Sequence, residues 1–243
     1  MSGRVTENVC GDIVVAAKEV CIMAKRIKLK DRILPSYCKG EEIMNMVTHI
    51  VGGGLGIIAL ILCLLRAKGT ISLMGAVIYG CSMIALYSVS SVYHGLRVCT
   101  AKKVMQIIDH CTIYLLIAGT YTPILLTAFR PVYPGICWGL LVWEWALTAL
   151  ATTLTAIDLK KYNIFSMVCY IFLGWSIAFF LPQTLVVMGS VGFGLLLAGG
   201  IAYTIGAVFY GIGAKLPWIH SVFHIFVVLG SFLQFLAIYQ YVL

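Results

Sequence analysis

From Ile43 onward the chain alternates between long apolar runs and short polar breaks, and the runs are about 20 residues long, the length an α-helix needs to cross a hydrocarbon layer. Seven such runs can be drawn, at residues 43–65, 71–93, 107–128, 134–156, 164–181, 186–211 and 218–242. The breaks carry loop signals: Arg66-Ala67-Lys68-Gly69, Arg97 to Lys103, Arg130-Pro131, Asp158 to Asn163, Pro182-Gln183 and Gly213 to Pro217. The pattern predicts an all-α integral membrane protein, a seven-transmembrane helix bundle over residues 41–243. Residues 1–40 form a polar tail before it.

Composition agrees, with 61% hydrophobic residues, 11% charged residues and a mean hydropathy of +1.01 over 243 residues. The net charge of +8 sits in the tail and the short loops, which points to anionic lipid as partner and not to nucleic acid, for which there is no motif. The tail holds Arg4, Lys18, Lys25, Arg26, Lys28, Lys30, Arg32 and Lys39. Ile13, Ala17, Val20, Ala24 and Ile27 recur there at helical spacing, so it reads either as a basic helix on the membrane surface or as a solvated segment. Its apolar run is too weak for a signal peptide. With the tail inside, Arg97, Lys102, Lys103, Lys160, Lys161 and Lys215 fall on the same side, against Arg66, Lys68 and Arg130 on the other. The expected orientation therefore has the amino terminus cytoplasmic and the carboxyl terminus outside, in the cell membrane. The nine cysteines are an odd number without a Cys-x-x-Cys pair and read as small buried side chains.

Small residues predict how the helices pack. Ser190, Gly194, Ala198, Ala202 and Gly206 recur every fourth residue, and Gly52 and Gly56 do so in the first run. Pro123 is expected to kink its helix, with Thr120 and Thr122 near the freed carbonyls. Glu144, in the middle of the fourth run, is a costly central carboxyl with no partner the sequence identifies.

The polar residues inside the runs gather at one end. All five histidines, His49, His94, His110, His220 and His224, fall at the expected cytoplasmic ends of their runs. His220 and His224, four apart, share one helix face, and with His94 they can offer three nitrogens to zinc while leaving a fourth position for water. Ser90 lies one turn before His94 and can bond to that water or to an oxyanion. Asp109 can accept a proton from the water, or instead pair with Lys102, Lys103 or Arg97. His110 points about 100° away from Asp109 on a helix, so the two do not both face the metal. Glu42, Asn45 and His49 share a face that can support the site or gate it. Tyr93 and Trp218 read as interfacial anchors, and Ser90 can equally bond back into its own helix.

These residues, taken together as Glu42-x-x-Asn45-x-x-Thr48-His49, Ser90-x-x-x-His94, Asp109-His110 with Ile117-Ala118-Gly119-Thr120-Tyr121-Thr122-Pro123, and His220-x-x-x-His224, resemble the hemolysin III family, a relative of the progestin and adiponectin receptors and, more distantly, of the alkaline ceramidases. The resemblance covers about residues 41–243. It implies zinc held by His94, His220 and His224 near the cytoplasmic face, with Asp109 holding the zinc-bound water and Ser90 beside it. It also implies a zinc-dependent hydrolase of a lipid amide or ester that enters from the bilayer. The alternative it carries is a non-enzymatic receptor, or a pore-forming cytolytic protein, in which zinc is structural.

Overall fold

The computed structural model describes residues 29–213 and 216–243. The proposed surface helix over residues 13–27 and Lys215 lie outside them. Among the described residues all regular structure is helical: α1 (Lys39–Arg66), α2 (Thr70–Gly95), α3 (Thr100–Pro123), α4 (Pro134–Ile157), α5 (Asn163–Gly174), α6 (Leu181–Gly213) and α7 (Ile219–Tyr241). Six stretches are long and apolar enough to cross a membrane, and five of them coincide with single predicted runs. The sixth, Asn163–Gly213, is one continuous stretch of 51 residues where the sequence suggests two.

That stretch is interrupted, but not where its proline predicts. Pro182 sits in the first turn of α6, where a missing N–H leaves nothing unpaired. The break falls instead at Gly189, whose φ of 69° and ψ of 171° belong to a backbone region open essentially to glycine. A second irregularity lies earlier, because α5 has only 12 residues and gives way to a tighter helical turn at Ser176–Phe180. Side chains satisfy the backbone there: Tyr121 Oη donates to the Gly174 carbonyl at 3.0 Å and accepts from the Ile177 N–H at 3.1 Å. Ser176 Oγ donates to Glu144 Oε1 at 2.5 Å, which gives the central carboxyl the partner that the sequence did not reveal.

Glycines set how closely helices approach. A Cβ on Gly52 would lie 2.5 Å from the Tyr87 ring and one on Gly56 3.3 Å from Met83 and Ile84, so the expected close approach in the first run is made against α2. The packed face of α6 differs from the predicted stripe. Gly192, Gly199, Ala202 and Gly206 are buried, while Ser190 and Gly194 are exposed. Steps of four residues advance about 400° on a helix, so a strict every-fourth pattern drifts about 40° per step away from a straight contact line. The true face meets α7, where a Cβ on Gly199 would lie 2.6 Å from Gln234.

After Pro123, residues Ile124–Phe129 wind more widely, closed by an Arg130 N–H bond to the Leu125 carbonyl at 2.9 Å. Pro123 fits against Gly75, whose Cβ would come 2.9 Å from the proline Cα. Thr120 and Thr122 bond back to Leu116 and Ala118, both at 2.7 Å. The described cysteines are free, and Cys63, Cys137 and Cys169 are buried as expected of small core side chains, but Cys38, Cys81 and Cys99 are exposed and Cys111 half-buried, so the expectation of buried cysteines holds for only part of the set.

Helices α1 and α7 close the bundle and run parallel. At one end Glu41 Oε1 accepts from the Trp218 N–H at 2.6 Å, and at the other Arg66 Nη2 donates to the Gln240 carbonyl at 3.4 Å with its guanidinium 5.0 Å from the centre of the Tyr239 ring. Glu41 also caps its own helix, accepting from the Cys38 N–H at 2.8 Å while Cys38 Sγ accepts from the Glu41 N–H.

The Gly189 geometry carries a prediction. Gly189→Ala has room for its methyl group, so its cost is conformational, about 1–3 kcal/mol. Gly194→Ala, on a helical and open position, should instead stabilise by about 0.5–1 kcal/mol. Thermal unfolding in detergent compares them, and equal midpoints would contradict the backbone argument.

Candidate metal centre

The structure brings His94 from the end of α2 together with His220 and His224 from the first turns of α7. All three are buried, and their nearest ligand atoms lie within 4.8 Å of one another. His220 Nε2 and His224 Nε2 are 3.1 Å apart. Two neutral ring nitrogens can share that distance only if one carries a proton, or both lone pairs face a common cation. With zinc–nitrogen bonds of about 2.0–2.1 Å, tetrahedral ligands lie roughly 3.3 Å apart, so the pair fits such an ion. His94 supplies the third donor, because its Nε2 is buried without a hydrogen-bond partner among the described residues.

The other nitrogen of His94 fixes the ring. Its Nδ1 donates to Glu42 Oε2 at 2.7 Å, and Glu42 Oε1 accepts from Lys102 Nζ at 2.6 Å, which also reaches the Leu96 carbonyl at 3.0 Å. A carboxylate on the far side of a ligating imidazole sets its tautomer and raises its basicity. Asn45 brackets the same region: its Oδ1 accepts from Ser221 Oγ at 2.6 Å and its amide stands 3.5 Å from His94 Nδ1. His49 stacks on His224 with ring centres 3.8 Å apart and meets the Tyr87 ring edge-on. Glu42, Asn45 and His49 thus surround the histidines.

Ser90 and Asp109 lie beyond the histidines and line a largely apolar cavity of about 210 Å³ together with His49, His220 and His224. Asp109 is within interaction range of Ser90. The alternative pairing of Asp109 with lysine is not taken up, since Lys102 bonds Glu42 and Lys103 Nζ donates to the Lys30 carbonyl at 2.7 Å. The back-bond open to Ser90 is made by its neighbour Ser91, to the Tyr87 carbonyl. His110 stands apart from the cluster: its Nδ1 donates to the Gln106 carbonyl at 2.8 Å and its Nε2 is 3.0 Å from Tyr210 Oη.

Two features correct or extend the sequence reading. Tyr93 is buried and not an interfacial anchor, lying between the His94 ring at 4.5 Å and the Lys102 ammonium at 5.2 Å. Tyr37, from the segment before α1, stacks on His220 with ring centres 4.8 Å apart at 20°. Burial raises its phenol well above the ordinary value, and Tyr210 with the Glu42, Asp109 and Glu41 carboxylates adds to this, so it remains a neutral donor. No periodicity flags Tyr37. The only cue in the chain is an aromatic just ahead of the first apolar run.

Fold and site together define a helical membrane protein with a buried three-histidine group able to hold a metal ion. Residues 37–235 match the family described as Haemolysin-III related, and the chain belongs to that family. It is 39% identical to Hemolysin-3 of Bacillus cereus over 206 residues, covering 84% of this chain and 92% of that protein. It is 35% identical to the Hemolysin-3 homolog of Bacillus subtilis (strain 168) over 204 residues, 83% and 94% of the two chains. It is also similar to the monocyte to macrophage differentiation factor of Homo sapiens, at 28% identity over 172 residues and 68% of each chain.

Metal content tests the cluster. Purified protein should carry about one zinc per chain, strongly reduced in His94→Ala, His220→Ala and His224→Ala and retained in His110→Ala. Glu42→Gln should bind but with affinity lowered about 10–100-fold. Undiminished metal in the triple histidine variant, by elemental analysis, would remove the site.

Proposed function

We propose that the protein is a zinc-dependent hydrolase of a lipid amide or ester. One observation carries this reading: among the described residues the group of three histidines includes no carboxylate, and it adjoins a cavity whose wall bears Ser90 and Asp109. Three histidines with an open position is the catalytic zinc pattern, whereas structural sites are closed by a fourth protein ligand. Zinc held there would polarise a substrate carbonyl and lower the pKa of water. Asp109 would orient that water and take its proton, and Ser90 would donate a hydrogen bond to the developing oxyanion. Glu42, Asn45 and Ser221 hold the histidines in place. Tyr170 and Ile171 of α5 and Phe193 and Leu197 of α6 are among the residues that line the cavity, walls that suit an acyl chain.

A second reading is favoured by the way the histidines join α2 to α7. Zinc would then be structural, in a receptor or in a cytolytic protein such as the names of the two Bacillus relatives suggest. Asp109→Asn separates the readings, because the amide keeps the size of the side chain but cannot take a proton. The hydrolase reading expects zinc content and thermal stability retained, with fatty-acid release from lipid amides and esters abolished. Zinc loss equal to that of a histidine variant would make Asp109 a ligand and favour the structural reading.

We also propose seven crossings in the cell membrane, with the amino terminus cytoplasmic. The parallel course of α1 and α7 supports an odd number, so the Asn163–Gly213 stretch would cross twice, turning near its irregular backbone. The basic residues before α1 and in the Arg97–Lys103 and Asp158–Asn163 loops support the orientation. A reporter active only in the cytoplasm should be active when fused after Arg97 or Lys215 and silent after Leu243. Activity at Leu243 would overturn the seven-span arrangement.

A further inference from the structure

A second cavity, of about 630 Å³, lies outside the first at the histidine end of the bundle, and its lining is far more polar. The two meet at a collar, because Pro35, Tyr37, Gln106, His110 and Tyr210 line both. The collar stands beside the metal centre: Tyr37 lies on His220, and Tyr210 is bonded to His110 with its ring 6.0 Å from that of His220. The Gln106 side chain is buried in the collar and its Oε1 has no hydrogen-bond partner among the described residues.

Charge in the outer cavity is mixed. Arg32 and Lys160 contribute cations, Asp31 and Glu41 carboxylates, and Asn163 an amide. Glu41 is already engaged by the backbone N–H groups of Cys38 and Trp218, which leaves Asp31 as the lining acid with no such bond among the described residues. Arg32 is half-buried and also faces Asp158 from the loop between α4 and α5. An apolar chamber and a mixed-charge chamber that join beside one reactive centre suit one kind of ligand, an amphiphile whose chain-to-head junction lies at the collar.

We infer that the outer cavity is a headgroup site for a zwitterionic, phosphate-bearing single-chain lipid. Its phosphate is taken by Arg32 and Lys160 with the Asn163 amide, its cation faces Asp31, and the unpartnered Gln106 carbonyl accepts a hydrogen bond from the linking region. The inference rests on the proposed use of the inner cavity for an acyl chain, and it narrows the substrate class to acyl lipids whose head is larger than the scissile group.

Binding to the full-length protein, counted by native mass spectrometry after release from detergent, tests this without needing turnover. Three probes share one acyl chain: lysophosphatidylcholine, lysophosphatidic acid and monoacylglycerol. The first should bind about tenfold more tightly than the other two. Arg32→Gln/Lys160→Gln should reduce it to the monoacylglycerol level while leaving monoacylglycerol binding unchanged, which also reports an intact fold. If the double variant does not fold, Lys160→Gln, at an exposed position, should give a partial loss in the same direction. Equal binding of all three probes would overturn the headgroup site and leave the acyl-chain reading standing. Tightest binding of lysophosphatidic acid would overturn the zwitterionic assignment. No binding of any probe would overturn both readings.

Discussion

The Glu42 carboxylate accepts from the His94 ring with one oxygen and from the Lys102 ammonium with the other, and in doing so it ties α1, α2 and α3 together at one point. A carboxylate at the margin of a bilayer is costly when alone and tolerable when each oxygen has a charged or polar partner. The arrangement settles two matters at once. It gives the anion its counter-charge, and it leaves His94 with Nε2 as its free donor, turned toward the histidines of α7. Without it, the ring could flip or change tautomer, and the three nitrogens would no longer converge. The adjacent Glu41 does a parallel task in backbone terms, capping α1 and holding the strained Trp218, whose φ is 65°, at the start of α7. Two consecutive acidic residues thus fix the positions of the elements that carry the site.

Much of this can be read from the chain because the relevant signals are local. Apolar run length locates the helices, and the four-residue spacing of His220 and His224 places both on one face. The position of His94 at the end of its own run brings it into play. What the sequence hides depends on partners far along the chain: Tyr37 against His220, Lys102 against Glu42, Ser176 against Glu144. The breaks in the Asn163–Gly213 stretch were hidden for another reason. Pro182 is the louder signal but is harmless in a first helical turn, whereas Gly189 looks like any other glycine until its neighbours require a conformation open to it alone.

The irregular backbone around Ser176–Phe180 shows how a membrane protein accommodates a broken helix. Hydrocarbon offers no hydrogen bonds, so each freed group must find one within the protein. Tyr121 serves a carbonyl and an amide, Trp175 donates to Thr204, and Glu144 receives Ser176. Each of these side chains would look misplaced in an uninterrupted span. Together they let the wall of the inner cavity depart from a straight helix.

The parallel seam between α1 and α7 bears on how the protein is made. Helix α1 emerges from synthesis well before α7, so Glu41 and Asn45 wait through the insertion of every intervening helix for Trp218 and Ser221 to arrive. His94 waits likewise for His220 and His224. The three histidines therefore cannot come together on a partly made chain, and their convergence becomes a late event of bundle assembly that depends on the intervening helices having been threaded in their proper order.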